Sequence, residues 1–401
     1  MKIIFTKLPS EGTIKVSFDS GESFTDYNVS EVSESGIEFN NNLDLRKIKI
    51  KGSANVLSNL EVLSGIRLEP SENSVRISLI TDTSESKELP DCITNINIPS
   101  GITKISGSIF SYCTGLTEIV IPDSVTSIGG SAFSGCTGLT EVVIPEGVTS
   151  IGDDAFYGCS GLKSIIFPSS VTEINDCAFG GCTGITSITI PSTVNKIGGF
   201  AGCTGLTSFI ISEGVTEISN YTFEKCKSLT SIDIPSSVIT IGEGAFSGCS
   251  GLTSITISEG VTSISSSTFS GCTSLTSIII PEGVTSIGSN AFEACKGLTS
   301  VTIPESVTSI GRGAFQSCTG ITSINIPSTV ASISNYAFQD CTGLTSITVP
   351  DSVTEIGERA FSGCTGLKTI NYTGNETQWK DITKGTNWIL DNVVINYNYQ
   401  G

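Results

Sequence analysis

The sequence predicts a repeat solenoid with an unlike segment at each end. Three observations carry that reading: a cysteine grid, an apolar pattern locked to it, and a proline that recurs at one place in most units. Twelve of the fourteen cysteines fall on the grid. Cys113, Cys136, Cys159 and Cys182 are 23 residues apart, Cys203 follows after 21, and Cys226, Cys249, Cys272, Cys295, Cys318, Cys341 and Cys364 resume the period. Self-similarity at roughly 20–29 residues signals stacked supersecondary units.

One unit, opening at Cys272, reads C-T-S-L-T-S-I-I-I-P-E-G-V-T-S-I-G-S-N-A-F-E-A. With each cysteine as position 0, Leu or Ile stands at +3, apolar residues at +6 and +8, Val at +12, Ile at +15 and usually Ala-Phe at +19 and +20. Side chains alternate across a strand, so Ile278 and Ile280 face one way and Ile279 the other. Proline at +9, as in Pro122, Pro145 and Pro281, lacks an amide proton and ends the strand. The short extended piece V-T-S-I returns Val284 and Ile287 inward, and the Gly-x-x-Ala-Phe stretch is expected to form a tight helical turn that delivers Phe292. A lone coil of this length buries too little to offset the entropy of ordering it, so coils must stack on hydrogen-bonded neighbours. The shortened coil between Cys182 and Cys203 lacks two residues around Ile197-Gly198-Gly199-Phe200, which shortens the turn and not the strand.

Stacking brings equivalent Cα atoms to about 5 Å, within disulfide range, but equivalent side chains point in parallel where a disulfide needs them to converge. The expectation is a ladder of buried thiols acting as small hydrophobes. No C-x-x-C pair occurs, and Cys177 and Cys182 have no histidine to complete a set, so no metal site is read. Cys92 and Cys177 lie off the grid, with Cys177 the better candidate for an accessible thiol.

The ends differ. Residues 1–88 lack the repeat and show short alternating runs at 2–5, 13–18, 36–39, 46–51, 61–68 and 75–80, separated by turn-rich stretches; they read as a small all-β domain for attachment or capping. Residues 89–373 form the solenoid of about twelve coils, opening where Ile93, Ile96 and Ile98 take the +3, +6 and +8 places. Residues 374–401 read as a cap: Asn375 is placed to N-cap a short helix, and 393–397 a closing strand. Both tryptophans, Trp379 and Trp388, fall here, either plugging an open core or offering a platform for a sugar ring.

The unit L-T-S-I-x-I-P-x-x-V-T-S-I-G-x-x-A-F-x-x-C resembles the BspA-like, bacterial surface antigen type of leucine-rich repeat, and the tail Y-T-G-N-E-T-Q-W-K-D-I…V-V-I-N-Y is similar to the closing segment of such proteins from gut bacteria. The resemblance spans residues 89–401. It implies a curved leucine-rich-repeat right-handed coil with a parallel β-sheet on its concave face. It also implies a role in adhesion at a cell surface or outside the cell, through binding a protein or glycan on a host or neighbouring cell.

A partner would meet the outward positions of each strand, +5 and +7. The +7 column opens Val120, Val143, Ile166, with Glu118 and Glu141 beside it at +5; Ile210, Asp233 and Ile279 recur further along. These eight residues are the candidate contact set, and Val120, Val143 and Ile166 its best patch. The plainer reading is that β-branched residues satisfy strand propensity. Regular threonine columns (Thr126, Thr149, Thr172; Thr253, Thr276, Thr299) invite an ice-binding reading, which curvature argues against.

Composition excludes much else. The chain has no histidine, which removes Ser-His and Cys-His nucleophiles and histidine metal sites. A net charge of −18 disfavours nucleic acid and anionic lipid. No phosphate loop or nucleophile elbow appears, and the acidic residues recur on coil edges, so no catalytic residue and no cofactor are expected. The run Met1 to Lys7 does not read as a secretory leader, and no apolar run is long enough to insert in a membrane. The leading expectation is a non-enzymatic recognition or adhesion protein. The alternative is a structural or receptor-binding component of a larger assembly, a phage virion or a surface layer, onto which residues 1–88 dock.

Overall fold

The computed structural model describes residues 110–389 and 392–400, a few residues between 95 and 108, and the backbone of strands ahead of them. The chain divides into two compact units, 1–188 and 189–401.

In the first unit, Lys2–Phe5 pairs antiparallel with Ile37–Glu38 and with Leu60–Glu61. Thr13–Ser17 lies between Thr25–Asn28 and Lys49–Gly52, and Ser78–Thr81 joins Lys49–Gly52 in parallel. The repeats follow. Asn95–Asn97, Glu118–Val120, Glu141–Val143 and Ser164–Ile166 form a parallel sheet in which Ile96, Ile119, Val142 and Ile165 share one register. A second parallel ladder runs through Lys104–Ile105, Ser127–Ile128, Ser150–Ile151 and Glu173–Ile174. Cys92 lies outside the described residues.

The second unit repeats the plan. Ser231–Asp233, Ser254–Thr256, Ser277–Ile279 and Ser300–Thr302 make one parallel sheet, and Ser323–Asn325, Ser346–Val349, Thr369–Tyr372 and Val394–Asn396 another. At the shortened coil, Lys196–Ile197 still pairs with Glu217–Ile218, so the two missing residues come out of the turn segment and the strand register survives. Both units are parallel-strand solenoid wherever the repeat runs.

Each coil closes on the same interior. Leu275, Ile278, Ile280, Val284, Ile287, Ala291 and Phe292 are all buried. The phenylalanines stack from coil to coil: Phe110, Phe133, Phe156 and Phe179 in the first unit, with centroids 5.0–5.3 Å apart, and Phe246 to Phe361 in the second at 5.3–5.6 Å. Offset rings at this distance are favourable pairs.

The segment that delivers each phenylalanine is not the helical turn expected. Its amides alternate between two directions. Ala291, Glu293 and Cys295 donate back within the coil to Gly288, Asn290 and Phe292, whereas Asn290, Phe292 and Ala294 donate to Arg312, Ala314 and Gln316 of the next coil. Left-handed residues four apart, Asn290 at φ 55° and Ala294 at φ 56°, turn the peptides outward. A helix would keep every amide to itself; stacked coils need half of them for their neighbours.

The thiols serve the same ladder. Cys272 Sγ donates to the Phe246 carbonyl at 3.2 Å, and the pattern holds for Cys136, Cys159, Cys249, Cys295, Cys318, Cys341 and Cys364, each to a phenylalanine 26 residues earlier. The described cysteines are thiols and not disulfides, buried except for exposed Cys177. Burial pushes the Cys249 and Cys295 thiols up to about 12, and those of Cys226, Cys272 and Cys318 well above their ordinary value.

The C-terminal end closes as the sequence indicates. Asn375 caps helix Glu376–Asp381 with a reciprocal bond to Gln378, and Val394–Asn396 adds the last strand. Trp388 meets the ring of Phe361 edge-on at 6.4 Å, and buried Trp379 lies between Trp388 and Tyr372. The two indoles end the phenylalanine stack.

Candidate interaction face

Strand alternation decides which residues can meet a partner. In the first unit, Ile119, Val142 and Ile165 point into the core, so Val120, Val143 and Ile166 must point out. They do: Val120 is 67% exposed, Val143 59% and Ile166 69%. Register aligns Val120 with Val143 and Val143 with Ile166, so the three form one continuous aliphatic column across three strands. Glu118 stands beside Glu141 in the same register, with Ser164 next, all exposed. Five of the eight candidate residues thus share one patch.

The other three do not join it. Ile210, exposed on Ser208–Ile211, belongs to the second unit. Asp233 and Ile279 lie on one sheet but are separated by Thr256, which pairs with both. Ile279, 79% exposed, is flanked by threonine on either side. These positions are exposed as expected, without forming a cluster.

The threonine columns have a structural occupation. Thr126, Thr149 and Thr172 each donate their hydroxyl to the backbone carbonyl one coil earlier, at 3.0, 3.4 and 3.2 Å. Thr253, Thr276 and Thr299 do the same. Their regularity serves the coil ladder, which leaves no need for an ice-lattice explanation.

Exposed aromatics that the sequence reading did not single out include Tyr112 and Tyr157. These two lie over Gly135 and Gly180 of the next coil, where an added Cβ would come within 2.5 and 2.9 Å of the ring. They stand at variable turn positions, so periodicity offers no signal for them. Among the described residues no cluster of three acidic or thiol groups is arranged to hold a metal, and no helix is long and apolar enough to cross a membrane.

The profile of the BspA type leucine-rich repeat region matches in six copies, over residues 89–199, 198–321 and 262–384. The chain belongs to the BspA-type leucine-rich repeat family. Among solved structures of this kind, a leucine-rich repeat protein of Bacteroides ovatus is 31% identical, covering 77% of this chain and 82% of its own, with a TM-score of 0.67. A leucine-rich cell surface protein of Faecalibacterium prausnitzii is 33% identical over 73% of this chain and 90% of its own, with a TM-score of 0.52. The pneumococcal vaccine antigen PcpA, at 20% identity over 76% of this chain and 79% of its own, shares the BspA-type fold with a TM-score of 0.55. No curated protein matches the chain.

Proposed function

We propose that this BspA-type chain is a non-enzymatic recognition protein, and that it grips a protein partner through the sheet face at Glu118–Val120, Glu141–Val143 and Ser164–Ile166. The observation that carries the reading is the aligned aliphatic column of Val120, Val143 and Ile166, more than half exposed on a scaffold whose other apolar columns are buried. Exposed aliphatic patches mark contact surfaces. A protein suits the patch better than a glycan, because its outward places hold no aromatic ring on which a sugar would stack. Display at a cell surface fits the description of the Faecalibacterium relative.

The test is capture on an array of extracellular host proteins and glycans, comparing the full chain with a Val143→Asp, Ile166→Asp variant. Protein capture should fall more than tenfold, while the melting temperature moves by no more than a few degrees, since both changes are on the surface. Undiminished capture by the variant would refute the assignment. Capture confined to glycans would replace the protein partner with a carbohydrate one.

A further inference from the structure

The patch carries a second departure from the repeat. Position +5 is serine or threonine in every coil from Cys159 to Cys364, yet glutamate at 118 and 141. Register sets these two carboxylates side by side on parallel strands. Like charges in directly opposed places repel. Among the described residues neither carboxylate has an ion pair or hydrogen bond. Lys163, the basic residue nearest in sequence to Ser164, makes no ion pair with either. The same two strands carry Val120 and Val143 two residues on, roughly 7 Å along the strand.

Neither feature helps the fold. Two side chains repel, and two leave apolar surface in water at a place where most later coils supply threonine, asparagine or aspartate. One kind of occupant relieves both costs: a surface that covers aliphatic groups and brings positive charge beside them. We propose that this face takes an aliphatic protein segment flanked by lysine or arginine, its apolar side chains on Val120, Val143 and Ile166 and its cations on Glu118 and Glu141. The inference rests on the aliphatic column being the contact surface. A second copy of the chain would set glutamate against glutamate, so the partner is unlike. The net charge of −18 attracts a basic partner from a distance and speeds encounter.

The experiment is a synthetic peptide array in which one aliphatic core is flanked by lysine, by serine or by glutamate, probed with the full chain at low and high salt. Lysine-flanked peptides should be retained about tenfold more than glutamate-flanked ones, and salt should erode the difference. A Glu118→Gln, Glu141→Gln variant should lose the preference, keep the serine-flanked peptides, and melt no lower than the parent. Equal retention of lysine- and glutamate-flanked peptides would overturn the charge inference and leave the aliphatic contact standing. Retention of lysine-flanked peptides untouched by Val143→Asp would overturn both. So would failure to retain any of the three.

Discussion

The coil that opens at Cys203 and the one that opens at Cys272 solve a single packing problem in two ways. In the second, Phe292 lies between Phe269 and Phe315, with centroids 5.4 and 5.3 Å away and planes within 12°. In the first, the preceding coil has lost two residues from its turn, and Phe200 and Phe223 stand 6.4 Å apart. Phe209, at the +6 place where Cys272's coil has Ile278, fills the gap edge-on, 5.0 Å from Phe200 and 4.7 Å from Phe223. The difference shows what the repeat conserves. Length in the turn segment is negotiable; interior volume is not, because close-packed cores leave no room for a void.

What the two coils share is the thiol ladder, and attacking it should have the largest effect. A thiol whose folded value is raised holds its proton where the unfolded chain has lost it. Stability is then full below about pH 9 and falls as pH rises toward the folded value. Cys249 and Cys295, pushed up to about 12 by burial, should together remove roughly 5 kcal/mol by pH 11, at about 1.4 kcal/mol per thiol per pH unit. Urea midpoints measured from pH 8 to pH 11 should fall steeply. A Cys249→Ala, Cys295→Ala variant, weaker at neutral pH, should fall less steeply over the same range. Parallel slopes for the two proteins would mean that the buried thiols do not set the alkaline limit.

Much of this interior was legible in the sequence because a period of 23 repeats each choice of side chain, and a position that is apolar in every coil has nowhere to face but inward. The ladder of thiols and the outward column at Val120, Val143 and Ile166 follow from that period, whereas Asn375, past the last repeat, is legible from helix-capping chemistry instead. The turn geometry follows from neither. Its left-handed places are held by Ser131, Asp154, Cys177, Tyr221, Asn290 and Arg359 in some coils and by glycines such as Gly135, Gly244, Gly271 and Gly313 in others, so no single residue type marks them. Local sequence favours a helical turn there, and only the demand of the next coil for amide donors overrides it. The acceptor of each thiol lies 26 residues away, beyond any local pattern. On the outward face the sequence names the side chains and stops, because what they bind is not written in the chain that binds it.

The contrast between the two coils sharpens under a reciprocal exchange. Phe209→Ile restores the usual residue at +6 but removes the ring that fills the shortened coil's gap, and should cost about 1–3 kcal/mol through the cavity left behind. Ile278→Phe adds the same ring where Phe269, Phe292 and Phe315 already stack at regular spacing, and should cost about as much through overpacking. Thermal and denaturant unfolding of each variant reads the outcome. If Phe209→Ile were neutral, the missing residues would be accommodated by backbone adjustment alone, and the compensation argued above would be wrong.

The smallest effect separates two serines at the same +16 place. Ser265 donates its hydroxyl to the Ile241 carbonyl at 2.7 Å. Ser219 has the equivalent acceptor, the Ile197 carbonyl, but that oxygen already receives Ser219's own amide at 2.8 Å and lies 3.1 Å from the Thr222 hydroxyl, which shares its one proton with the nearer Ser219 carbonyl at 2.8 Å. That carbonyl of Ile197 is already engaged, and the buried Ser219 hydroxyl has no partner. Glycine is the commoner residue at this place, as at Gly242, where an added Cβ would lie 2.5 Å from the Asn220 amide nitrogen. Ser219→Ala removes an unsatisfied polar group and should stabilise the protein by about 1 kcal/mol, whereas Ser265→Ala breaks a made bond and should destabilise it by about the same amount. Opposite signs at equivalent positions are the signature to look for in the denaturation midpoints; like signs would mean that the competition for the Ile197 carbonyl does not decide the energetics of this coil.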